Sequence, residues 1–138
     1  MSFIKGKRLN LLKTIEVMLP INVNDLLEKN RVESNRIEFK EGWNPVRIYQ
    51  SICAFANDID NLGGGYILVG VKEDNGKVVR PVCGLTEEEL EDIQKKMIGF
   101  NNLIDPYYRP RTSIEPVDGK NIFVIWAPMG EERPYAVP

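Results

Sequence analysis

The sequence predicts a single domain in which helices and strands are mixed, and three patterns indicate this. Apolar residues recur at helical spacing over residues 48–56, which is typical of a helix with one buried face. Three glycines lead into the apolar run 66–71, which is typical of a strand that is buried on both faces. The turn signals Asn75-Gly76 and Asp118-Gly119 each separate two short runs that favour strands. A length of 138 residues and an apolar fraction of 43% suit one globular domain with a single core.

The composition excludes several classes of function. The chain contains no histidine, so Ser-His-Asp catalysis, Cys-His catalysis and histidine-ligated zinc sites are excluded. Any catalysis would have to use carboxylates, lysine, tyrosine or a hard metal ion held by oxygen ligands. A net charge of −2 gives no overall electrostatic attraction for nucleic acid, although it is compatible with a local basic surface.

The chain has no sequence signature of a membrane or secreted protein. No apolar run approaches the roughly 20 residues that span a bilayer, and no cleavable signal pattern follows the basic N-terminus. We therefore expect a cytoplasmic protein with no membrane partner. Cys53 and Cys83 are interpreted as buried thiols of a reducing compartment, in preference to a disulfide or a metal pair.

Residues 1–30 are predicted to form an N-terminal helical arm that precedes the main domain, residues 31–138. Apolar residues at helical spacing between residues 7 and 19 indicate the helix, and Asn24 is expected to cap a shorter helical turn. Such an arm either packs on the core of its own chain or pairs two chains in a homodimer.

The main domain is predicted to begin with a strand and a helix. Residues 36–40 alternate, with Ile37 and Phe39 directed inward and the three charged residues directed outward. Asn44 is a good N-cap for the helix predicted over residues 48–56, because its side chain can accept a backbone N–H of the first turn.

The second half of the domain is predicted to contain two hairpins and one helix. The strand at 66–71 leads into a hairpin turn at 73–76 and a return strand. Thr86 and Glu89 form a capping box that opens the next helix. A second hairpin is predicted over residues 113–127, and the loop before it is rich in tyrosine, arginine and proline.

Several short motifs follow one another in a fixed order along the chain. They are Glu33-Ser34, Glu38-Phe39-Lys40, Ala54-Phe55-Ala56-Asn57, Gly64-Gly65, Val69-Gly70-Val71, Glu73-Asp74 with Gly76, and Arg133-Pro134-Tyr135. In this order and spacing they resemble the Schlafen-type AlbA-like domain, formerly labelled a divergent AAA domain, over residues 32–135. The resemblance implies an α+β fold, with a mixed, largely antiparallel sheet and packed helices.

The resemblance also implies a function in nucleic-acid binding, as the DNA-binding domain of a bacterial transcriptional regulator whose C-terminal part is missing here. The candidates for phosphate contacts and base stacking are Arg36, Lys40, Arg109, Arg111, Tyr107 and Tyr108. The alternative for the tyrosine and arginine residues is that their loop simply packs over the sheet.

A second function follows from the same resemblance. Some Schlafen proteins cleave RNA with three acidic residues, and these match Glu33, Glu38 and Asp74, or Glu73 in place of the last. Such carboxylates could hold a magnesium or manganese ion that activates water, and Lys40 could neutralise a phosphate. The alternative is that Glu38 only pairs with a neighbouring cation. A third possibility is an oligomerisation or scaffold domain.

The former AAA label implies ATP binding, which the sequence does not support. A phosphate-binding Walker loop requires a Gly-Lys-Ser or Gly-Lys-Thr between a strand and a helix. Here the glycines at 63–65 precede a strand, and no such triplet follows them. We therefore expect no ATP site of this type, and we expect these glycines to let two backbone segments pack closely.

Overall fold

The computed structural model describes residues 22–28 and 36–138 of the chain. In chain order the elements are α1 (Val23–Leu27), β1 (Ile37–Lys40), α2 (Pro45–Asn57), β2 (Gly65–Val69), β3 (Glu73–Asp74), β4 (Lys77–Val78), α3 (Glu87–Asn101), β5 (Arg111–Val117) and β6 (Lys120–Ala127). The helix predicted between residues 7 and 19 and the candidate site residue Glu33 lie outside the described residues.

Four strands form the main sheet in the order β1-β2-β6-β5. β1 runs parallel to β2, whereas β2 with β6 and β6 with β5 are antiparallel pairs. This topology confirms the predicted α+β class with a mixed, largely antiparallel sheet and packed helices. It also makes β1 and β5 the opposite edges of the main sheet.

Both faces of this sheet are packed, which explains why β2 and β6 are apolar along most of their length. α2 and α3 cover one face, where Ile67 and Ile125 are fully buried. α1 covers part of the other face, where Leu26 packs in a second cluster with Leu68 and Val124. Strands buried on both faces were predicted from the sequence, and the structure confirms them.

The face of β1 that was predicted to point outward is only partly exposed. Ile37 is buried in the second cluster, as expected for an inward residue. Glu38, however, lies on the α2 side of the sheet, where its Oε2 accepts a hydrogen bond of 2.7 Å from the Ser51 hydroxyl. Because helices cover the sheet on this side too, alternation along β1 separates two packed faces rather than a core face from a solvent face.

The helix caps follow local sequence signals. The Asn44 side chain accepts the Arg47 backbone N–H at the start of α2, and Thr86 and Glu89 form the predicted capping box of α3. The cap of α1 is Asn22, whose Oδ1 accepts the Asn24 N–H, so the prediction that Asn24 is the cap was wrong. The described residues contain no helix that is long and apolar enough to cross a membrane.

The chain leaves the main sheet after β2. Gly70 has a φ of +98°, a left-handed conformation that few other residues adopt. The Asn75-Gly76 turn forms as predicted, but it joins the two-residue strands β3 and β4 in a separate sheet. The antiparallel partner of β2 is therefore the distant β6, and the expected return strand is not part of the main sheet.

The second predicted hairpin is confirmed, with β5 starting two residues earlier than expected. Its turn residues Asp118 and Gly119 both have positive φ. The Asp118 carboxylate accepts two hydrogen bonds from the Arg80 guanidinium, at 2.7 and 2.8 Å, and one from the Val82 N–H. The hydrogen bonds from Arg80, followed by the one from the Val82 N–H, lower the pKa of Asp118 to about 2.

The glycine pair at the start of β2 allows the close packing that the sequence predicted. A Cβ on Gly64 would lie 2.1 Å from the Ala127 carbonyl oxygen, and a Cβ on Gly65 would lie 2.6 Å from the Phe55 ring. Both separations are far below van der Waals contact, so only glycine fits without a shift of its neighbours. A Cβ on Gly63 would have no atom within 4 Å, so Gly63 does not take part in this close packing.

The two cysteines are free thiols in different environments. Cys53 is buried in α2, and burial raises the pKa of its thiol. Cys83 is exposed, so the interpretation of this residue as a buried thiol was wrong. It lies in the loop that follows β4, next to Val82, and there the Val82 side chain enters the core while the Cys83 side chain is directed outward.

Replacement of Gly65 by alanine tests the close packing of α2 against β2. The added methyl group collides with the buried Phe55 ring, so we expect Gly65→Ala to lower the free energy of unfolding by about 1–3 kcal/mol. The matched control is Gly42→Ala, since Gly42 has open space at its Cβ position and no positive φ. Urea denaturation followed by circular dichroism measures both; equal midpoints for the two variants would contradict the packing argument.

Candidate functional site

A groove lies between α3 and the start of β5. It has a volume of about 880 Å³. Its wall is formed by Gln94, Met97, Ile98, Asn101, Asn102, Tyr107, Arg109, Pro110, Arg111, Thr112 and Phe123. The helix therefore supplies apolar and amide side chains, and the segment leading into β5 supplies an aromatic ring and two cations.

Three of the candidate nucleic-acid-binding residues meet in this groove. Tyr107 is 56% exposed, and Arg109 and Arg111 are also exposed. The Arg111 guanidinium lies 5.5 Å from the centre of the Trp126 ring, a cation–π distance. The Trp126 ring stacks on Tyr66 on the face of the sheet that α1 covers, so the Arg111 guanidinium is directed to that face, and Arg109 is the cation at the groove itself. Within the part of the chain that the structure describes, neither arginine forms an ion pair, so both cations remain available to an anionic ligand.

Burial alternates from residue to residue along the segment that leads into β5. Tyr107, Arg109 and Arg111 are exposed, whereas Tyr108 and Pro110 between them are buried. A period of two is the signature of an extended chain. The same alternation can be seen in the sequence Tyr-Tyr-Arg-Pro-Arg. It could have indicated that only one of the two tyrosines is exposed.

The prediction that Tyr108 stacks a base does not fit the structure. Its ring is buried and packs edge to face against the Tyr135 ring, with the centroids 5.1 Å apart. Its hydroxyl donates a hydrogen bond of 2.6 Å to the Pro128 carbonyl oxygen. Burial raises the pKa of this hydroxyl. Tyr108 therefore supports the loop, and Tyr107 alone of the two presents its ring to the groove.

Arg36 and Lys40 lie at the other edge of the sheet, on or next to β1. The Arg36 guanidinium donates to the Asp58 carboxylate at 2.9 Å and to the Gly64 carbonyl oxygen at 2.7 Å. Lys40 Nζ lies 3.9 Å from Glu38 Oε2. The four predicted cations therefore do not form one surface, and Arg36 is engaged within the fold.

Asp58, which the sequence analysis did not single out, organises the link between α2 and β2. It is buried, has a positive φ of 43°, and accepts the backbone N–H groups of Leu62 and Gly63 at 2.8 Å each. Burial alone would raise the pKa of this carboxyl. The backbone hydrogen bonds and the Arg36 charge outweigh burial, and the pKa of Asp58 is lowered.

The candidate catalytic residues within the described part of the chain lie on different elements. Glu38, on β1, accepts a hydrogen bond from Ser51 on α2, whereas Asp74 is exposed in the small hairpin. No cluster of three or more acidic or cysteine side chains that could hold a metal ion is found among residues 22–28 and 36–138. Because Glu33 is outside these ranges, the nuclease hypothesis and its magnesium or manganese site stay predictions.

Comparison with known proteins identifies the family of this α+β domain. Residues 33–137 match the family described as Schlafen, AlbA_2. The chain therefore belongs to the Schlafen AlbA_2 family. A comparison with curated protein sequences gave no match.

Two solved structures are similar to the chain. One is the N-terminal domain of a Nitrosomonas europaea protein whose name relates it to the ATP-dependent DNA helicase RecG. It has 31% sequence identity and a TM-score of 0.64, and the match covers 85% of this chain and 80% of that one. The other is the DIP2311 protein of Corynebacterium diphtheriae, with 18% identity and a TM-score of 0.53, which matches 96% of this chain and 24% of that one. The second likeness shows the fold alone.

Two motifs that carry the family resemblance are in direct contact. The Asn57 side chain donates from Nδ2 to the Tyr135 carbonyl oxygen at 3.0 Å and accepts the Tyr135 N–H at 2.6 Å. The Arg133 guanidinium donates to the Asn57 carbonyl oxygen at 3.3 Å. The end of α2 is thus fastened to the C-terminal segment, which gives these motifs a structural role.

Replacement of Asp58 by asparagine tests the buried ion pair. The change leaves the Arg36 charge without its partner, and we expect a loss of about 3 kcal/mol in the free energy of unfolding at pH 7. Because the folded-state pKa of Asp58 is lowered, its contribution is complete above the ordinary aspartate pKa of about 3.9. The contribution is lost as the pH falls from there through the folded-state pKa.

The difference between the wild type and Asp58→Asn should therefore be constant near neutral pH and narrow below about pH 4. Urea denaturation at a series of pH values measures it. Asp60→Asn is the control, since Asp60 is exposed in the same link and should behave like the wild type. A stability gap that did not change with pH would contradict the assignment.

Proposed function

We propose that this chain is a nucleic-acid-binding domain and that the groove between α3 and β5 is its binding surface. The observation that carries the proposal is the meeting of an exposed aromatic ring, Tyr107, with the exposed guanidinium of Arg109 on the wall of one groove, with Arg111 beside them at the edge of the sheet. Neither arginine forms an ion pair within the described residues. Membership of the Schlafen AlbA_2 family supports it, as does the similarity to the N-terminal domain of a protein related to a DNA helicase.

The chemistry of the three side chains fits the two parts of a nucleotide. Guanidinium groups donate paired hydrogen bonds to phosphate oxygens and carry a charge at any physiological pH. A tyrosine ring stacks on a base and tolerates any base sequence. Because the net charge of the chain is −2, affinity would depend on these local contacts rather than on the overall field.

A more specific role extends this proposal. We infer that the domain is the DNA-binding part of a cytoplasmic transcriptional regulator, as the family resemblance implies. The Nitrosomonas domain belongs to a protein whose name relates it to a DNA helicase. DNA is therefore the first ligand to test, with RNA beside it.

Binding of fluorescently labelled DNA and RNA over a salt series tests the groove. We expect Arg109→Ala and Arg111→Ala each to reduce the slope of log affinity against log salt by about 1, because one phosphate contact is lost. Tyr107→Ala should leave the slope unchanged and weaken binding by about 1–3 kcal/mol through lost stacking. Fluorescence anisotropy measures both quantities.

Arg47→Ala is the matched control, because Arg47 is an exposed arginine on α2 that does not line the groove. It should bind like the wild type. An equal loss in Arg47→Ala, or no binding of either nucleic acid at low salt, would reject the proposal. Inclusion of magnesium and a check of the RNA for cleavage products tests the nuclease hypothesis in the same series, with Glu38→Ala as its inactive variant.

A further inference from the structure

One amide side chain on the wall of the groove makes a single hydrogen bond within the described residues, through its oxygen. Asn101 is the last residue of α3, is 9% exposed, and lines the groove. Its Oδ1 accepts a hydrogen bond of 2.6 Å from the Tyr49 hydroxyl. Within the described residues nothing accepts from its Nδ2, which carries two N–H donors. The Nδ2 atom itself reaches solvent, because the one buried side-chain donor without a partner among the described residues is Trp43 Nε1. The bond from Tyr49 holds the amide in place, so its free N–H groups are presented to a ligand that supplies an acceptor.

Electrostatics indicate which part of an anionic ligand would lie at Asn101. The C-terminal end of a helix presents free carbonyl oxygens and a partial negative charge, which disfavours phosphate. Arg109, on the opposite wall, and Arg111, beside it at the edge of the sheet, attract phosphate. A ligand in this groove therefore places an uncharged acceptor at Asn101 and its anionic group at the arginines.

The rim of the groove favours a flat, apolar group between these two ends. Ile98 is 69% exposed and Tyr107 is 56% exposed, and both line the groove. A nucleobase combines two apolar faces with carbonyl oxygens and ring nitrogens that accept hydrogen bonds along its edge. In a duplex these faces are stacked and most of the edge is paired, so only an unpaired base could occupy the groove.

We propose that the groove binds one unpaired nucleobase of a single-stranded nucleic acid. Asn101 donates from Nδ2 to an acceptor on the base edge, Tyr49 is a positioning residue that fixes the amide, and Arg109 and Arg111 bind the neighbouring phosphates. The inference rests on the proposed function and narrows its ligand from nucleic acid in general to single strands. The volume of about 880 Å³ lies within the range of roughly 300–1,000 Å³ that is usual for small-ligand pockets.

Three labelled probes separate base recognition from phosphate binding: a short single strand, the same strand with abasic sites, and the duplex. The wild type should bind the intact single strand at least about fivefold more tightly than the other two, since one stacked base contributes that much or more. Asn101→Asp replaces the N–H donors by an oxygen and should remove this preference. Asn102→Asp is the control, since it adds the same charge at the exposed neighbouring position in the groove.

Two further variants keep the test decisive if Asn101→Asp fails to fold. Ile98→Ala removes an exposed apolar contact with the base and should weaken binding of the intact strand by about threefold with no change in the salt slope. Ile59→Ala, at a residue that is 91% exposed and does not line the groove, should have no effect. Tyr49→Phe frees the amide and should lower the ratio of intact-strand to abasic-strand affinity, which a purely structural role would not change.

The outcomes distinguish this inference from the proposed function. Equal binding of the intact strand, the abasic strand and the duplex by the wild type would overturn base recognition. Base recognition would also be overturned if each variant matched its control. In that case Asn101→Asp would keep the same preference for the intact strand as Asn102→Asp, and Ile98→Ala would bind the intact strand as tightly as Ile59→Ala. If Arg109→Ala still weakened binding in those cases, the proposed function would stand without the inference. Failure of all three probes to bind at low salt would overturn both.

Discussion

The buried carboxylate of Asp58 is the interaction on which the rest of the fold depends. It receives the Arg36 guanidinium from the start of β1 and the N–H groups of Leu62 and Gly63 from the link before β2. One side chain thus fixes where α2 ends and where β2 begins. Because β2 enters the sheet at that point, Gly64 can approach the backbone of β6.

The same interaction limits where a ligand can bind. Arg36 is committed to Asp58 and to the Gly64 carbonyl oxygen, so the β1 edge of the sheet offers little free positive charge. At the β5 edge, Arg109 lines a groove and Arg111 lies over the Trp126 ring, and neither has a carboxylate partner within the described residues. The lysines on α3 add little, because Lys95 and Lys96 are each paired with an acidic residue one turn earlier.

How much could be predicted from the sequence depended on how local each signal was. The caps of α2 and α3 and the turns at Asn75 and Asp118 are each specified within a few residues, and they were predicted at their correct positions. The pairing of β2 with β6 joins segments that are far apart in the chain. It was not predicted because the hairpin signal at Asn75-Gly76 favoured a partner close to β2 in sequence. The short loop from β5 into β6 made that second pairing easy to predict.

The candidate site was predicted in part for the same reason. Tyr107, Arg109 and Arg111 are neighbours in sequence, so their meeting in one groove required no knowledge of the fold. Arg36 was taken for a ligand contact because its partner lies 22 residues away, in a link whose geometry no local pattern specifies. Asn101 was missed because a polar residue at the end of a helix is ordinary, and only its contact with Tyr49, 52 residues earlier, distinguishes it.

The exposed edge at β5 has a further consequence, for aggregation. The Asn121 carbonyl oxygen accepts the Leu85 N–H on the side away from β5. In an antiparallel ladder both polar groups of a residue point to the same side, so the backbone of Pro116, opposite Asn121, is directed to the open edge. Proline has no N–H, which leaves only Thr112 and Ile114 with amide donors on that side. The strand is a poor template for an invading strand of another chain, and this edge is protected from uncontrolled sheet extension.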